Sequence, residues 1–339
     1  MADAPLTFRL ATEADVPALG ALWAEDAGWG GLTAAQWRAW YVDTPYGACP
    51  VAVAVDAGGR AVGQLAFTPS RVRVGGAEVD ALRLSAPILR RDRRRGLLDA
   101  GHPVAGMYFA VAHDALRRGV RLVYAVTDPA WLGFFGWAAR EGARLGVPLA
   151  DFAAASHACR ARDVGAAGAR GVARWAADPV DAFGAEFDAF WEEVAAGLDA
   201  PRGAVGASCA VARRPAWLNF KYGGDFLRVA VRERPGAPLA GYAAVRRSDG
   251  LLADVLARDG AAYAPVLAAV LGEAGRARAA GDLVPAQLRA MDAPALRPAL
   301  DALGFVPVDY QFAFACAALP GGPAAERVAP ARWHVTAGD

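Results

Sequence analysis

The sequence is poor in cysteine, and its few cysteines are not arranged as a metal site or a disulfide framework. Four cysteines are spread over 339 residues, at Cys49, Cys159, Cys209 and Cys316. No two of them form a C-x-x-C pair, and none lies near a histidine at metal-ligand spacing, so no zinc site is expected. Scattered single cysteines are typical of a protein that works in the reducing cytoplasm.

The sequence also lacks an excess of charge and long apolar runs. It has 36 basic and 35 acidic residues, a net charge of +1. Nucleic-acid binders usually carry a basic excess, so nucleic acid is not an expected partner. No window reaches the ~18 consecutive apolar residues of a membrane span. The opening MADAPLTFRLATEADVPALG lacks the basic start and apolar core of a signal peptide. We therefore expect a cytoplasmic protein.

What is present is a regular alternation of strand-like and helix-like patterns. Thr12, followed by Glu13 and Asp15, is typical of a helix N-cap with acidic residues in the first turn. Two pairs of apolar runs, each joined by Gly-Gly, predict hairpins between residues 51 and 84. An arginine-rich segment, a helix over about 103–118 and the strand VRLVYAV follow. This order predicts an α+β fold with one crossover unit in an otherwise antiparallel sheet.

The length predicts two domains, and the second half repeats the element order of the first without its sequence. A segment rich in Ala, Gly and Arg separates the halves. We expect a first domain over 1–155, a connector over 156–175, a second domain over 176–319 and an irregular tail over 320–339.

The most unusual segment is RRDRRRGLLDAGHPVAG, which starts at Arg90 and precedes the helix. Arginines and a glycine before a helix can bind a phosphate group through guanidinium groups and unpaired amides. The alternative is a solvated arginine cluster on a surface turn. Gly101 and Pro103 are poor helix-interior residues, so Pro103 is expected as the first helical residue, after a lengthened loop.

Several segments resemble the GCN5-related N-acetyltransferases. The spacing Arg93-x-x-Gly96-x-Leu98 is similar to that family's R/Q-x-x-G-x-G/A pyrophosphate loop, and RLATEADVPALGALW is similar to its usual opening. RRRGLL and the WLGFFGW segment resemble the enhanced intracellular survival type of acetyltransferase, without that type's C-terminal sterol-carrier-like domain. RRPAWLNFKYG, at 213–223, and W-x-x-T-x-G-D, at 333–339, resemble two-domain members of the superfamily.

The resemblance implies two tandem domains of this fold, each a mixed, mostly antiparallel sheet flanked by helices. The first would bind acetyl-CoA, and a primary amine would attack the thioester carbonyl directly. The second would be a degenerate copy that does not bind coenzyme A, and the tail over 320–339 would pack back toward the active cleft. The implied cofactor-binding residues are Ile88, Leu89, Arg90, Arg93, Arg94, Arg95, Gly96, Leu97 and Leu98.

The resemblance fails at the proton donor. Related enzymes use a tyrosine in the segment matched by WLGFFGW, where this sequence has Leu132. Tyr124 and Tyr108 are the alternatives, although each also fits a core position. The candidate bases are Glu25, Asp26 and Asp128, together with the C-terminal carboxylate of Asp339, because related enzymes use their own C-terminus. His102 could contact a phosphate or act as a base, or could simply be exposed.

Two other functions stay open at this point. The donor could be larger, such as a longer acyl-CoA, an acyl carrier protein or an aminoacyl-tRNA, and only then would nucleic acid be a partner. Alternatively, the chain could be a binding module that keeps the fold without catalysis. In each case a small polar molecule is the expected acceptor or ligand, no metal or membrane is required, and a homo-oligomer is left open.

Overall fold

The computed structural model describes residues 5–27, 30–85, 87–94, 102–144, 152–164, 175–198, 207–283 and 285–339. The chain divides into two compact units. The first comprises Met1–Arg71, Asp80–Ala153 and Ala315–Ala325. The second comprises Val72–Val79, Ala154–Phe314 and Glu326–Asp339. Each unit combines helices and strands, so the α+β class predicted from the sequence is confirmed.

The helices and strands are numbered in chain order. The helices are α1 (Val16–Leu22), α2 (Ala34–Tyr41), α3 (Pro103–Arg117), α4 (Trp131–Arg144), α5 (Ala185–Leu198), α6 (Pro215–Lys221), α7 (Tyr263–Ala279) and α8 (Arg297–Ala302). The strands are β1 (Thr7–Leu10), β2 (Val51–Val55), β3 (Ala61–Val74), β4 (Ala77–Leu84), β5 (Ile88–Leu89), β6 (Leu122–Thr127), β7 (Ala153–Asp163), β8 (Ala176–Pro179), β9 (Cys209–Val211), β10 (Phe226–Arg232), β11 (Leu239–Arg246), β12 (Leu252–Ala257), β13 (Gln287–Met291), β14 (Val306–Ala318) and β15 (Trp333–His334).

Local polar contacts fix the start of the first helical segment, as the sequence predicts. The Asp15 carboxylate accepts hydrogen bonds from the Thr12 main-chain N at 2.7 Å and from both Nη atoms of Arg9 at 2.7 Å. The Arg9 hydrogen bond is the main reason that the pKa of Asp15 is lowered to about 2. A short 3-10 turn then leads into α1, which ends in one π-helical turn over Trp23–Ala27.

The sheet of the first unit is antiparallel from β1 through β2 to β3, and β4 pairs with β6 in parallel. Gly59, with φ of +79°, allows the tight turn between β2 and β3. The parallel pair follows because α3 carries the chain from β5 across to β6. The predicted crossover unit is therefore present.

Apolar side chains cover both faces of this sheet. Phe67, Val123 and Phe134 are buried with α3 and α4 on one face, whereas Val53 and Ile88 are buried with α1 and α2 on the other. A glycine is needed at Gly106, in the first turn of α3, because a Cβ there would lie 2.4 Å from the Phe8 ring of β1. The glycine costs helix propensity but lets the helix approach β1 closely.

In the second unit, a four-stranded antiparallel sheet has the order β12-β11-β10-β8. β7 pairs with β13, so the first part of the expected connector over 156–175 is a strand. Residues 165–174 lie outside the described residues. The tail differs from the expected irregular segment because Trp333 and His334 form β15, parallel to β9. No helix in the described ranges is long and apolar enough to cross a membrane.

Candidate functional site

The first unit has an opening in its sheet where β4 and β6 diverge. Their parallel register covers only Ala81–Arg83 against Leu122–Tyr124. After β4 ends at Leu84, the next strand is β5, which pairs with β3 and, among the described residues, with no other strand, while β6 runs on to Thr127. The edge of β5 that faces away from β3 is therefore unpaired within the sheet.

A β-bulge precedes β5 and sets the direction of its main-chain groups. The Ser85 N–H donates to Ala66 O at 3.0 Å and the Arg90 N–H donates to Val62 O at 3.0 Å. The five steps from Ser85 to Arg90 thus oppose four steps on β3, which is the extra residue of a bulge. Leu89 lies opposite Gly63 between hydrogen-bonded pairs, so its N–H and C=O point to the unpaired edge.

The arginine-rich segment is held by two acidic residues at the end of the first helical segment. Arg90 Nη1 lies 2.9 Å from Glu25 Oε2 and 3.8 Å from Asp26 Oδ2. The Arg91 main-chain N–H donates to Asp26 Oδ1 at 3.0 Å. Asp26 is only 6% exposed. This predicted base thus lies directly against the start of the predicted phosphate loop and fixes its main chain.

Arg94 closes the segment with contacts to main-chain oxygens. Its Nε donates to Leu89 O at 3.1 Å, and its Nη2 donates to Asp26 O. Arg93 lies beside Asp92, with Nε 3.8 Å from Oδ2. The structure therefore brings together Ile88, Leu89, Arg90 and Arg94 of the predicted cofactor residues. Arg93 is the fifth predicted member among the described residues, whereas Arg95, Gly96, Leu97 and Leu98 lie outside them.

The N-terminus of α3 is satisfied by its own residues. Pro103 is the first helical residue, as predicted, and His102 is the N-cap. His102 Nδ1 accepts from the Val104 N–H at 3.2 Å, and His102 O accepts from the Ala105 N–H at 2.9 Å. His102 is buried, so the exposed position considered from the sequence is wrong. The N–H groups of Val104 and Ala105 in the first turn of α3 are therefore already bound.

The candidate proton donors occupy different environments. Tyr124 is the last residue of β6 that pairs with β4, and it is fully buried. Its neighbours Val123 and Ala125 face α3, so the Tyr124 side chain points to the opposite face of the sheet. Tyr108 belongs to α3 and points into the core, where burial raises its pKa. Leu132 lies in the first turn of α4, partly buried, and provides no hydroxyl there.

A strip of neutral polar groups follows the same face of the sheet as Ile88. Gln64 Oε1 accepts from Trp23 Nε1 at 3.1 Å, and the hydroxyls of Thr68 and Ser85 are 3.3 Å apart. Burial raises the pKa of Cys49, which lies beside Thr68, to about 12. This strip stays uncharged at neutral pH, so it can position a polar molecule by hydrogen bonds without carrying a proton.

The predicted base Asp339 lies in the second unit, in a buried ion cluster. Its Oδ2 accepts from Arg213 Nη2 at 2.7 Å and from the Thr336 N–H at 2.8 Å. Arg213 Nε and Nη2 each lie 3.3 Å from Asp254 Oδ1, and Tyr242 donates to Asp254 Oδ2 at 2.9 Å. Burial alone would raise the pKa of Asp339, but Arg213 holds it below its usual value.

His334 lies in the same buried region as a neutral side chain. Its Nε2 is 3.1 Å from Val255 O and therefore carries the proton, whereas Nδ1 accepts from the Tyr263 hydroxyl at 3.3 Å. Burial, together with the charge of Arg213, lowers the pKa of His334 to about 4. Both ring nitrogens of His334 are thus hydrogen-bonded, and a proton on Nδ1 would displace the hydrogen bond from Tyr263.

The start of α7 in the second unit corresponds in element order to the start of α3 in the first. Here Asp259 Oδ1 accepts from the Ala262 N–H at 2.9 Å, and Arg258 Nε lies 2.9 Å from a Glu193 carboxylate oxygen. A carboxylate already occupies the position at the helix start that a phosphate would need. Within the described ranges, no group of three or more His, Cys, Asp or Glu side chains could hold a metal ion.

Sequence reasoning missed two features of these sites. It did not anticipate that Asp26 binds the main chain of Arg91, because the two residues are separated by 65 positions. It also did not anticipate the Arg213 cluster, although both segments that form it, 213–223 and 333–339, were singled out. The sequence signal that could have indicated this cluster is that Arg213 begins the first segment and Asp339 ends the second.

No family model matches the sequence, and no curated protein matches it. Solved structures do match. A conserved protein of unknown function from Enterococcus faecalis V583, called a probable N-acyltransferase, is 12% identical with a TM-score of 0.57, over 91% of this chain and 72% of that chain. A GCN5-related N-acetyltransferase from Kribbella flavida is 14% identical with a TM-score of 0.54, over 92% and 70%.

The N-myristoyltransferase of Saccharomyces cerevisiae, solved with bound myristoyl-CoA, is 9% identical with a TM-score of 0.59, over 94% of this chain and 83% of that chain. At these identities the similarity concerns the fold. The opening between the parallel strands, the bulge before β5 and the helices on both faces occur in a chain that matches acyltransferase structures over most of its length. The chain therefore has the fold of the GCN5-related N-acetyltransferases.

Proposed function

We propose that this protein is an N-acetyltransferase that transfers an acetyl group from acetyl-CoA to a primary amine of a small polar acceptor. The observation that carries the proposal is the unpaired edge of β5, formed where β4 and β6 diverge and flanked by the arginine-rich segment. An extended arm with amide groups can pair with such an edge in the manner of an added strand. The guanidinium groups of Arg90 and Arg94 lie beside it to bind phosphates.

In this proposal the Leu89 N–H polarises the thioester carbonyl, because it points to the unpaired edge. As the amine attacks, the carbonyl oxygen gains negative charge, and a fixed main-chain donor stabilises that charge without reorganisation. The C–S bond then breaks, the amine loses a proton and the thiolate gains one. The neutral strip formed by Gln64, Thr68 and Ser85 is the proposed surface for the acceptor, because it lines the face of the sheet next to the bulge.

Asp26 is the proposed general base and Tyr124 the proposed proton donor. Support for Asp26 is that its buried Oδ2 accepts no hydrogen bond from any described residue, while Oδ1 is held by Arg91. Support for Tyr124 is its position at the last paired residue before the strands diverge. Asp339 is the alternative base that the family resemblance suggests, although its side-chain carboxylate is already bound by Arg213.

The second unit is proposed not to bind coenzyme A. The carboxylate of Asp259 caps the start of α7, and Arg258 is paired with Glu193. An anion entering there would meet like charge and would have to displace two existing contacts.

Two observations favour alternatives to acetyl transfer. The yeast N-myristoyltransferase structure contains myristoyl-CoA, so the shared fold is compatible with a longer acyl donor. The proton-donor position is occupied by Leu132, and both Tyr108 and Tyr124 are buried, which favours a binding module that does not catalyse transfer.

The test compares two substitutions at one position. Leu89→Pro removes the N–H that points to the unpaired edge, and Leu89→Ala keeps that N–H while losing the same packing. Removing one oxyanion donor costs about 10²–10³ in kcat. We therefore expect thiol release with acetyl-CoA and a panel of amines to fall at least about a hundredfold more in Leu89→Pro than in Leu89→Ala.

Binding and chemistry are separated by a thermal-unfolding measurement. Coenzyme A at a hundredfold excess over Kd should stabilise the protein by about 2.7 kcal/mol. Stabilisation without thiol release across acyl-CoAs and amines would favour the binding module. The absence of any shift with acetyl-CoA or longer acyl-CoAs would contradict the proposal altogether.

A further inference from the structure

The guanidinium group of Arg94 lies on the edge of β5 that the proposed donor would use. Its Nε donates to Leu89 O at 3.1 Å, and its Nη2 donates to Asp26 O. Leu89 is the residue of β5 whose main-chain groups point away from β3. Arg94 therefore occupies, from within the chain, the carbonyl oxygen that an incoming amide N–H would need.

Arg94 differs in this respect from its neighbours in the arginine-rich segment. Arg90 is paired with the carboxylates of Glu25, at 2.9 Å, and Asp26, at 3.8 Å. The Arg91 guanidinium is mostly exposed: its side chain is 78% accessible and reaches Asp26 only at 4.0 Å. Arg94 instead donates to two neutral main-chain oxygens, those of Leu89 and Asp26.

This difference determines how a phosphate would affect Arg94. A phosphate is negatively charged and can accept two parallel hydrogen bonds from one guanidinium group, whereas a main-chain oxygen is a neutral acceptor. A diphosphate beside the segment would thus offer Arg94 better acceptors than Leu89 O and Asp26 O. Moving the guanidinium to the phosphate would leave Leu89 O open to the amide-bearing arm of the same ligand.

We propose that Arg94 is a specificity-determining latch, which closes the edge of β5 until the phosphates of the donor withdraw it. This inference rests on the proposed function. Its consequence is selectivity for nucleotide-bearing donors: a pantetheine arm without phosphates must displace Arg94 and offers no anion in return. The chain would thereby exclude small thiols and phosphate-free thioesters from the edge that activates the thioester.

The experiment measures calorimetric affinities for coenzyme A and for pantetheine, which carries the same arm without phosphates. Arg94→Ala removes the latch, and Arg91→Ala is the matched control, because it removes one guanidinium from the same segment without freeing Leu89 O. In Arg94→Ala we expect pantetheine to bind about tenfold more tightly, the size of one charge-assisted hydrogen bond. Coenzyme A also gains the freed oxygen but loses its phosphate contact, so it should bind no more tightly than in the wild type. In Arg91→Ala coenzyme A should weaken and pantetheine should bind as in the wild type.

Other outcomes overturn the latch in distinguishable ways. If coenzyme A binds the wild type but pantetheine binds Arg94→Ala no more tightly than the wild type, the latch is refuted and the proposed function stands. The same holds if pantetheine tightens equally in Arg91→Ala, because the effect would then be one of charge alone. If coenzyme A does not bind the wild type, the latch and the proposed function both fail.

Discussion

Removing the buried guanidinium of Arg213 should strongly destabilise the second unit. Arg213 is 1% exposed and lies between the carboxylates of Asp254 and Asp339, each 2% exposed at the side chain. Arg213→Met keeps an apolar side chain of similar length but leaves both carboxylates buried without a cation. Breaking a buried ion pair from one side costs about 3–5 kcal/mol. We therefore expect a loss of about 4 kcal/mol in the free energy of unfolding.

The pH dependence of the loss identifies its cause. In the wild type, Arg213 holds the pKa of Asp339 below its usual value, so this contribution is present above pH ~3.9 and is lost as the pH falls through the folded pKa. In Arg213→Met the pKa of Asp339 should instead be raised by burial, and acid should relieve the cost. The difference in stability between wild type and variant should therefore shrink as the pH falls from 7 to 4.

Urea unfolding followed by tryptophan fluorescence, together with hydrogen exchange at the Gly338 amide, measures the effect. The Gly338 N–H donates to Ala253 O at 2.7 Å, next to the cluster. The control is Arg246→Met, which removes a surface partner of Asp249 with side chains 40% and 31% exposed. That control should cost no more than about 1 kcal/mol. A loss in Arg213→Met as small as in the control, or one that does not change with pH, would refute the reasoning.

Three further results are expected. His334, whose pKa is lowered to about 4, binds a proton more readily in the unfolded chain, so the free energy of unfolding should fall by about 3 kcal/mol as the pH drops from 6.5 to 4. In His334→Gln, the free energy of unfolding measured with urea should change less with pH over that range. The same pH dependence in the variant as in the wild type would contradict this. Gly63→Ala places a Cβ 2.6 Å from the Leu89 side chain, so thermal unfolding should show a loss of about 1–3 kcal/mol, and full stability would mean that β5 shifts freely. Gly106→Ala should destabilise the protein by about 1–3 kcal/mol because the Phe8 ring packs against this position. Gly272→Ala, whose added Cβ would meet nothing within 4 Å, should instead stabilise it by about 0.5–1 kcal/mol. Equal effects of the two substitutions in urea unfolding would contradict the packing argument.

The sequence predicts the elements better than it predicts the site. Local signals identified the capped first helix at Thr12, the hairpins and the helix that starts at Pro103, because turns, caps and proline act over a few residues. The same local reasoning misread the tail, in which Trp333 forms a strand. That strand forms because Trp333 pairs with Cys209, more than a hundred residues earlier in the chain, and the residues near Trp333 do not indicate this pairing.

The candidate site shows the same limit. The arginine-rich segment was evident from its composition, but its partners were not, because Glu25 and Asp26 look like an ordinary solvated helix end in the sequence. From its loop, His102 was considered as a phosphate contact, a base or an exposed side chain, whereas packing makes it a buried N-cap. Long-range burial and ion pairing, rather than local propensity, determine what each of these polar residues does.

The unpaired edge of β5 consists of peptide groups, which every amino acid except proline supplies alike. A recognition surface of this kind can be kept through almost any exchange of side chains, provided that the bulge before it keeps its extra residue. Natural variation along Ile88 and Leu89 would then be governed by packing, while insertions or deletions in the preceding turn would be eliminated. Comparing the number of residues in this segment among related chains should therefore reveal more about the chemistry than comparing the residue types.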